Sequence, residues 1–280
     1  MINNLFGDVY AKELNEKLKK RFENLDATLA VVSAGADYGS NTYAQAISRK
    51  CEELKINIQE FHFPEDVEEE SVIAKLEELN NDCDIDGILL QLPLAKSLDQ
   101  NKIIEKLDPK KDVDGIHPYN MGCLFSGKPA IVPATAKAVM KMLAYHEIAL
   151  AGKEVTIVGR SNAVGKPLIA LMLKENATVT VCHSQTRDLF QLTRKSAIIV
   201  SAIGRAKFLD DKYFDANNIV IDVGINQDEN GICGDVDYGK VADKVAAITP
   251  VPKGVGALTM MTLMENLAEI IEDNRGKNGV

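Results

Sequence analysis

The chain has 280 residues, 46% hydrophobic and 26% charged with 9 prolines, which describes an ordinary globular protein and sets aside the fibrous and disordered classes. Its 32 basic against 41 acidic residues give a net charge of -9, which disfavours nonspecific attraction to nucleic acid or anionic lipid and leaves small molecules as the expected ligands. Five cysteines without a CxxC pair argue against a closed disulfide framework and fit a reducing cytoplasm. The amino terminus lacks a basic segment followed by an apolar run. No later stretch approaches the roughly 20 apolar residues that cross a bilayer, so neither export nor membrane insertion is expected.

In chain order, periodicity predicts a helix over about 8–24, a short strand at "ATLAVVSA", and a helix at "SNTYAQAISRKCEELKI" that presents Tyr43, Ile47 and Lys50 near one face. A strand at "INIQEFHF" follows, then a charged helix over 68–81 whose Val72, Ile73, Leu76 and Leu79 recur at helical spacing. The apolar strand "DGILLQLPL" should end at Pro93. Strands separated by helices imply a parallel sheet. "LDPKKDVDGIHPYNMG" reads as a loop, "ATAKAVMKMLAYHEI" as a helix, and the main domain boundary should fall near 115–145. Beyond it, "KEVTIVGRSNAVGKPLIALMLKENATVTVCHS", "AIIVSAIG" and "NIVIDVGIN" have the rhythm of a Rossmann-like half, and "LTMMTLMENLAEIIEDN" is a terminal helix.

The turn "VGRSNAVGKP" sets Gly159 and Gly165 between a buried strand and a helix, where glycine lets the backbone approach a phosphate at the helix N-terminus. Ser161 replaces the middle glycine of the full dinucleotide fingerprint, so a plain strand-to-helix turn is the structural alternative. The next strand ends in "VCHSQTR" with no acidic residue. With Ser184 there and Arg160 in the turn, the 2′-phosphate of NADP is favoured over the bare ribose of NAD, a solvated Arg160 being the alternative. "QLPL" and "KDVDG" read alone as a strand end and an Asx turn, and "TPVPKGVGALT" as a rigid loop or connector. The four histidines and the cysteines show no short metal-ligand spacing, so no metal is expected. There is no G-x-S-x-G elbow and no P-loop lysine motif.

Taken in order, "GILLQLPL", "KDVDGIHPYNMG", "TIVGRSNAVGKP", "ATVTVCHS", "VIDVGIN" and "ITPVPKGVGALT" resemble the bifunctional methylenetetrahydrofolate dehydrogenase/cyclohydrolase family, known as FolD in bacteria. The resemblance implies an α/β fold in which an N-terminal folate-binding catalytic domain with a parallel sheet (1–120) joins a Rossmann-like NADP-binding domain (121–256). Folate would lie in the cleft between them, with a C-terminal helix (257–280) returning to the first domain. It also implies a cytoplasmic homodimer in one-carbon metabolism, with tetrahydrofolate derivatives as substrate and NADP as cofactor, NAD being the alternative. The first reaction oxidises 5,10-methylenetetrahydrofolate to the 5,10-methenyl form; the second opens that ring with water to 10-formyltetrahydrofolate.

Carried over position by position, the catalytic and substrate-binding roles fall on Tyr43, Gln91 and Asp114, with Pro252 and Gly256 also at the substrate; Leu92, Pro93 and Lys253, the last new in this loop and otherwise a surface lysine, are further candidate substrate residues. The cofactor roles fall on Gly159, Arg160, Ser161, Gly165, Ser184 and Ile225. The family pattern Y-x-x-x-K fails at one place, because Ile47 stands where the catalytic lysine belongs. Other departures gather on the folate side: "PATA" for P-C-T-P, "PKGVGALT" for P-G-G-V-G-P-M-T, and "GADYGSNTY" before the helix. Hydride transfer can rest on positioning, whereas hydrolysis needs proton transfer that isoleucine cannot supply. The expectation is an NADP-dependent dehydrogenase with a doubtful cyclohydrolase. Two alternatives are a fully bifunctional enzyme using Lys50 or Lys253 and a folate- or NADP-binding protein without turnover.

Overall fold

A computed structural model describes residues 3–35, 38–229 and 231–278. Helix α1 (Asp8–Phe22) buries Leu14, Leu18 and Phe22, one stripe at four-residue spacing. Strand β1 (Thr28–Ala34), helix α2 (Tyr38–Leu54), strand β2 (Asn57–Phe63), helix α3 (Glu69–Asn81) and strand β3 (Gly87–Leu90) follow. The three strands are parallel in the order β2-β1-β3, with Val31 in register with Glu60 and Leu89. Central β1 is buried along nearly its whole apolar run, while β2 lies at the edge and is mostly exposed. Helix α3 turns Val72, Leu76 and Leu79 inward and packs Ile73 at the margin of the same core.

Strand β3 stops at Leu90, three residues short of Pro93: the Gln91 N–H still bonds Val32 O, but past it the ladder ends. Short helices α4 (Gln100–Ile104) and α5 (Pro118–Phe125) come next. The second corrects the loop reading of this stretch, because Pro118 sits in the first helical turn, where its missing N–H has no partner to lose. Helix α6 (Ala134–Tyr145) then buries Ala138, Val139, Met142 and Leu143.

A five-stranded parallel sheet follows, built from β4 (Glu154–Val158), α7 (Gly165–Lys174), β5 (Thr178–Cys182), α8 (Leu189–Lys195), β6 (Ile198–Ser201) and β7 (Ile219–Asp222). A small antiparallel hairpin, β8 (Asn226–Asp228) with β9 (Gly231–Cys233), precedes α9 (Tyr238–Val241), strand β10 (Ala247–Ile248) and helix α10 (Gly256–Asn278). The order β10-β7-β6-β4-β5 means that the chain adds β5 on one side of β4 and the later strands on the other. A crevice at the carboxyl ends of β4 and β6 is where such a reversal places a ligand.

The chain divides into two compact units. One holds Leu14–Cys123, Pro129–Val132 and Leu263–Val280, with the three-stranded sheet; the other holds Met1–Glu13, Leu124–Lys128 and Pro133–Thr262, with the five-stranded sheet. The first 13 residues thus group with the second unit, unlike the boundary drawn from sequence at 120/121. The tie is local and strong: Leu5 N–H donates to Ile248 O, Gly7 N–H to Lys253 O, and Tyr10 stacks on Tyr145 at 4.3 Å. No helix among the described residues is long and apolar enough to cross a membrane.

Candidate active site

At the strand reversal of the five-strand unit lies a cavity of about 510 Å³. Gly159, Arg160 and Ser161 line it from the end of β4, His183, Ser184 and Thr186 from the end of β5, and Ala202, Ile203 and Arg205 from the end of β6. Glycine is required at position 159: φ is +132°, and a Cβ there would stand 2.2 Å from Ala202 O. A Cβ on Gly165 would meet Gly159 O at 2.4 Å, so α7 starts hard against the end of β4 only because both residues are glycine. Ser161 in turn accepts the Val164 and Gly165 N–H groups through Oγ, which ties the turn to the helix start. Among the described residues no carboxylate lines this cavity, and two arginines do. The residues present therefore fit a dinucleotide carrying an extra phosphate.

Two buried aspartates fix the loops around that crevice. Asp235 is fully buried and accepts four hydrogen bonds, from Ser201 Oγ and Ile203 N–H on Oδ2 and from Arg205 N–H and Asn226 Nδ2 on Oδ1. Asp222 accepts the N–H groups of Gly224, Asp235 and Val236. Burial pushes its carboxyl up to about 7, Asp235 adding in the same direction against the pull of those amides. The loops after β6 and β7 are thereby knitted to the segment that follows the hairpin. Neither aspartate was singled out from sequence.

Beside them, Ile225, Pro252, Lys253 and Gly256 line one cavity of about 330 Å³, together with Asp8, Asp222 and Ile232. The structure thus brings the expected cofactor residue Ile225 next to the expected substrate residues Pro252, Lys253 and Gly256. Thr135 and Thr259 join Ile225 and Gly256 around an adjoining space of about 250 Å³ and were missed in the sequence, Thr135 being hidden in the divergent "PATA". Lys253 holds φ +83°, a left-handed conformation that lysine adopts at a cost, and its side chain is exposed. We expect Lys253→Gly to raise stability by about 0.5–1 kcal/mol, the strain relieved less the extra freedom gained by the unfolded chain, as read in urea titrations.

In the three-strand unit, Tyr43 on α2 and Asp114 after β3 share one neighbourhood: although Tyr43 is 37% exposed, the protein crowded around its hydroxyl first and the Asp114 charge second hold that hydroxyl above its usual range. Gln91 is buried at the end of β3, and Leu92 and Pro93 follow it with greater exposure. Within "KDVDG" the roles separate. Lys111 Nζ donates to Leu79 O and Asp82 O at the end of α3, and buried Asp112 accepts His117 N–H and Asn120 Nδ2. The second aspartate, Asp114, is left half-buried toward Tyr43.

Ile47 is completely buried, one turn beyond Tyr43. Lys50, a turn further on, is engaged with other groups: its Nζ lies 2.5 Å from Glu53 Oε2 and 2.9 Å from Asn15 Oδ1, and this pairing draws the Glu53 carboxyl down to about 2. The histidine and cysteine spacing suggested no metal site. Among the described residues, the one grouping of potential ligands is the consecutive Asp82, Cys83 and Asp84, the last two exposed and Asp84 N–H bonded to Asp82 Oδ1.

A parallel sheet with its glycine turn, an arginine-lined crevice and no acidic residue at the end of β5 define a nicotinamide-dinucleotide oxidoreductase. Residues 133–275 match the tetrahydrofolate dehydrogenase/cyclohydrolase NAD(P)-binding domain, and residues 5–114 match the catalytic domain of the same family. The chain belongs to the tetrahydrofolate dehydrogenase/cyclohydrolase family, whose cofactor is NADP and whose substrate is a folate. It is 41% identical to the bifunctional protein FolD of Agathobacter rectalis over 97% of this chain and 100% of that one. The crystal structure of the bifunctional FolD from Campylobacter jejuni superposes with a TM-score of 0.94 at 37% identity, covering 98% of this chain and all of that one. The FolD of Trypanosoma brucei, crystallised with NADP and an inhibitor, gives 0.90 at 30% identity over 96% and 97% of the two chains.

Proposed function

We propose that the chain oxidises 5,10-methylenetetrahydrofolate to 5,10-methenyltetrahydrofolate with NADP, and that its cyclohydrolase step is weak. The carrying observation is Ile47: a completely buried hydrocarbon at the position where the family pattern has its lysine. Bound NADP supplies the hydride acceptor. Tyr43 stacks on the folate, while Gln91 and Asp114 hold the pterin, with Leu92, Pro93, Pro252, Lys253 and Gly256 as further substrate contacts. Gly159, Arg160, Ser161, Gly165, Ser184 and Ile225 hold the cofactor. For the oxidation these groups need only position the methylene carbon, because the substrate's own nitrogen lone pair assists departure of the hydride. For the hydrolysis a proton must reach a ring nitrogen as water attacks, and isoleucine has none to give.

Purified protein assayed for both half-reactions decides the matter. NADP reduction by methylenetetrahydrofolate without accelerated conversion of methenyl- to formyltetrahydrofolate is the expected result; rapid conversion would sink it. A second reading, full bifunctionality, is favoured by relatives such as the bifunctional FolD of Agathobacter rectalis. Lys253 is its candidate cation, since no side-chain ion pair engages it among the described residues. Loss of hydrolysis but not oxidation in Lys253→Gly would mark that reading.

A cytoplasmic homodimer completes the proposal. Among the described residues β2 pairs on one side only, with β1, and an open strand edge is a ready surface for a second copy. Light scattering should report twice the chain's mass. Free thiols at all five cysteines support a reducing compartment.

A further inference from the structure

The NADP cavity holds a second arginine that the sequence motifs do not mark. Arg205 lines it from the loop after β6, with its guanidinium carbon 4.2 Å from the centroid of the Phe208 ring, and Phe208 lines the same cavity. Its main chain is fixed as well, because the Arg205 N–H donates to buried Asp235 at 2.9 Å. An arginine held over an aromatic ring is already oriented, so little side-chain freedom is lost when it binds. Among the described residues no carboxylate lines the cavity to pair with it.

The ligand chemistry calls for that second charge. A phosphate monoester carries about -1.5 to -2 at neutral pH, more than Arg160 alone can balance. In a dinucleotide fold the 2′-substituent of the adenosine ribose meets the end of the second strand, here His183 and Ser184 at the end of β5. Arg160 from the loop after β4 and Arg205 from the loop after β6 line the same cavity. Planar guanidinium groups are suited both to bidentate phosphate contact and to stacking on a purine.

We propose that Arg205 is a cofactor-specificity residue: with Arg160 it holds the 2′-phosphate of NADP, its guanidinium backed by the Phe208 ring. The inference rests on the reading of this cavity as an NADP site and adds a residue that discriminates NADP from NAD.

The test is equilibrium binding of NADP and of NAD to the full chain without folate, so it does not depend on which folate reaction the protein catalyses. Arg205→Ala leaves the main-chain bond to Asp235 intact, and the side chain removed is exposed. The expected result is a rise in the NADP dissociation constant of about tenfold or more, with NAD affinity changed by less than about threefold. Arg205→Lys, which keeps the charge but not the planar fork, should fall between. Equal weakening of both cofactors would overturn the proposal by assigning Arg205 to the adenine alone, and so would no change in either. Equal affinity of the unsubstituted protein for NADP and NAD would remove the NADP reading itself, and the proposal with it.

Discussion

Restoring lysine by Ile47→Lys is expected to raise conversion of methenyl- to formyltetrahydrofolate by about 10²–10⁴-fold, the usual worth of positioned general acid-base catalysis. Position 47 follows Tyr43 by four residues on α2, so the two side chains leave the same face of the helix one turn apart. The site is fully buried, and an ammonium there would be shorn of water and pushed toward a lower pKa. That is the condition in which lysine exchanges protons near neutral pH. The same burial has a cost, and the variant should melt earlier than the parent. Dehydrogenase activity should persist, because hydride transfer asks only for positioning. Ile47→Met, unbranched like lysine and of similar volume but with no titratable group, is the control and should leave hydrolysis where it was. A folded Ile47→Lys protein that oxidises methylenetetrahydrofolate at the parental rate, yet gains no hydrolysis, would show that the other folate-side departures, not Ile47, limit the second reaction.

How far the sequence foretold this molecule depended on the distance over which each signal acts. The glycine turn at 159–165 could be read because its cause is local: a strand end, a helix start and two residues that cannot carry a Cβ. Helix α3 could be read for the same reason, its buried face being written in its own spacing. Tyr43 and Asp114 are 71 positions apart, and no periodicity joins them; only the ordered motif set placed them together, and the charge of one on the other is a property of the fold. Lys50 points the same lesson the other way. On a helical wheel it lies close to the face of Tyr43, but its partner Asn15 comes from α1, 35 residues earlier, and draws the ammonium into a different contact. The β8–β9 hairpin has little sequence signature, because two strands of three residues each are too short to show an alternation. Asp222 and Asp235 looked like ordinary acidic residues. What sets them apart is burial among main-chain amides from three separate segments, and composition carries no trace of that.

Those aspartates carry the largest expected loss. In Asp235→Asn one oxygen remains to accept hydrogen bonds, while the new amide faces a main-chain N–H that cannot reverse, Ile203 or Arg205 according to orientation, beside a Ser201 hydroxyl or Asn226 amide that can turn to accept. At about 1–3 kcal/mol for a buried donor left unmatched, the loss is roughly 1–3 kcal/mol, a sizeable part of the 5–15 kcal/mol that holds a typical protein folded. Thermal melts should show it directly, and NADP affinity should fall even below the melting range because Ile203 or Arg205 loses its anchor. Asp222 has a different signature. Its carboxyl titrates near 7 in the folded chain against an ordinary value of 3.8, so the native state binds the extra proton between those limits. Stability from this group is therefore full below about pH 4 and declines as pH rises toward 7, the reverse of an ordinary salt-bridged aspartate. Urea midpoints taken from pH 4 to 8 should contain that decline in the parent and lack it in Asp222→Asn, which holds no titrating proton. An identical slope in both would place the titration on another group, and a parental NADP affinity in Asp235→Asn would mean that the loops after β6 and β7 hold their shape without the carboxylate.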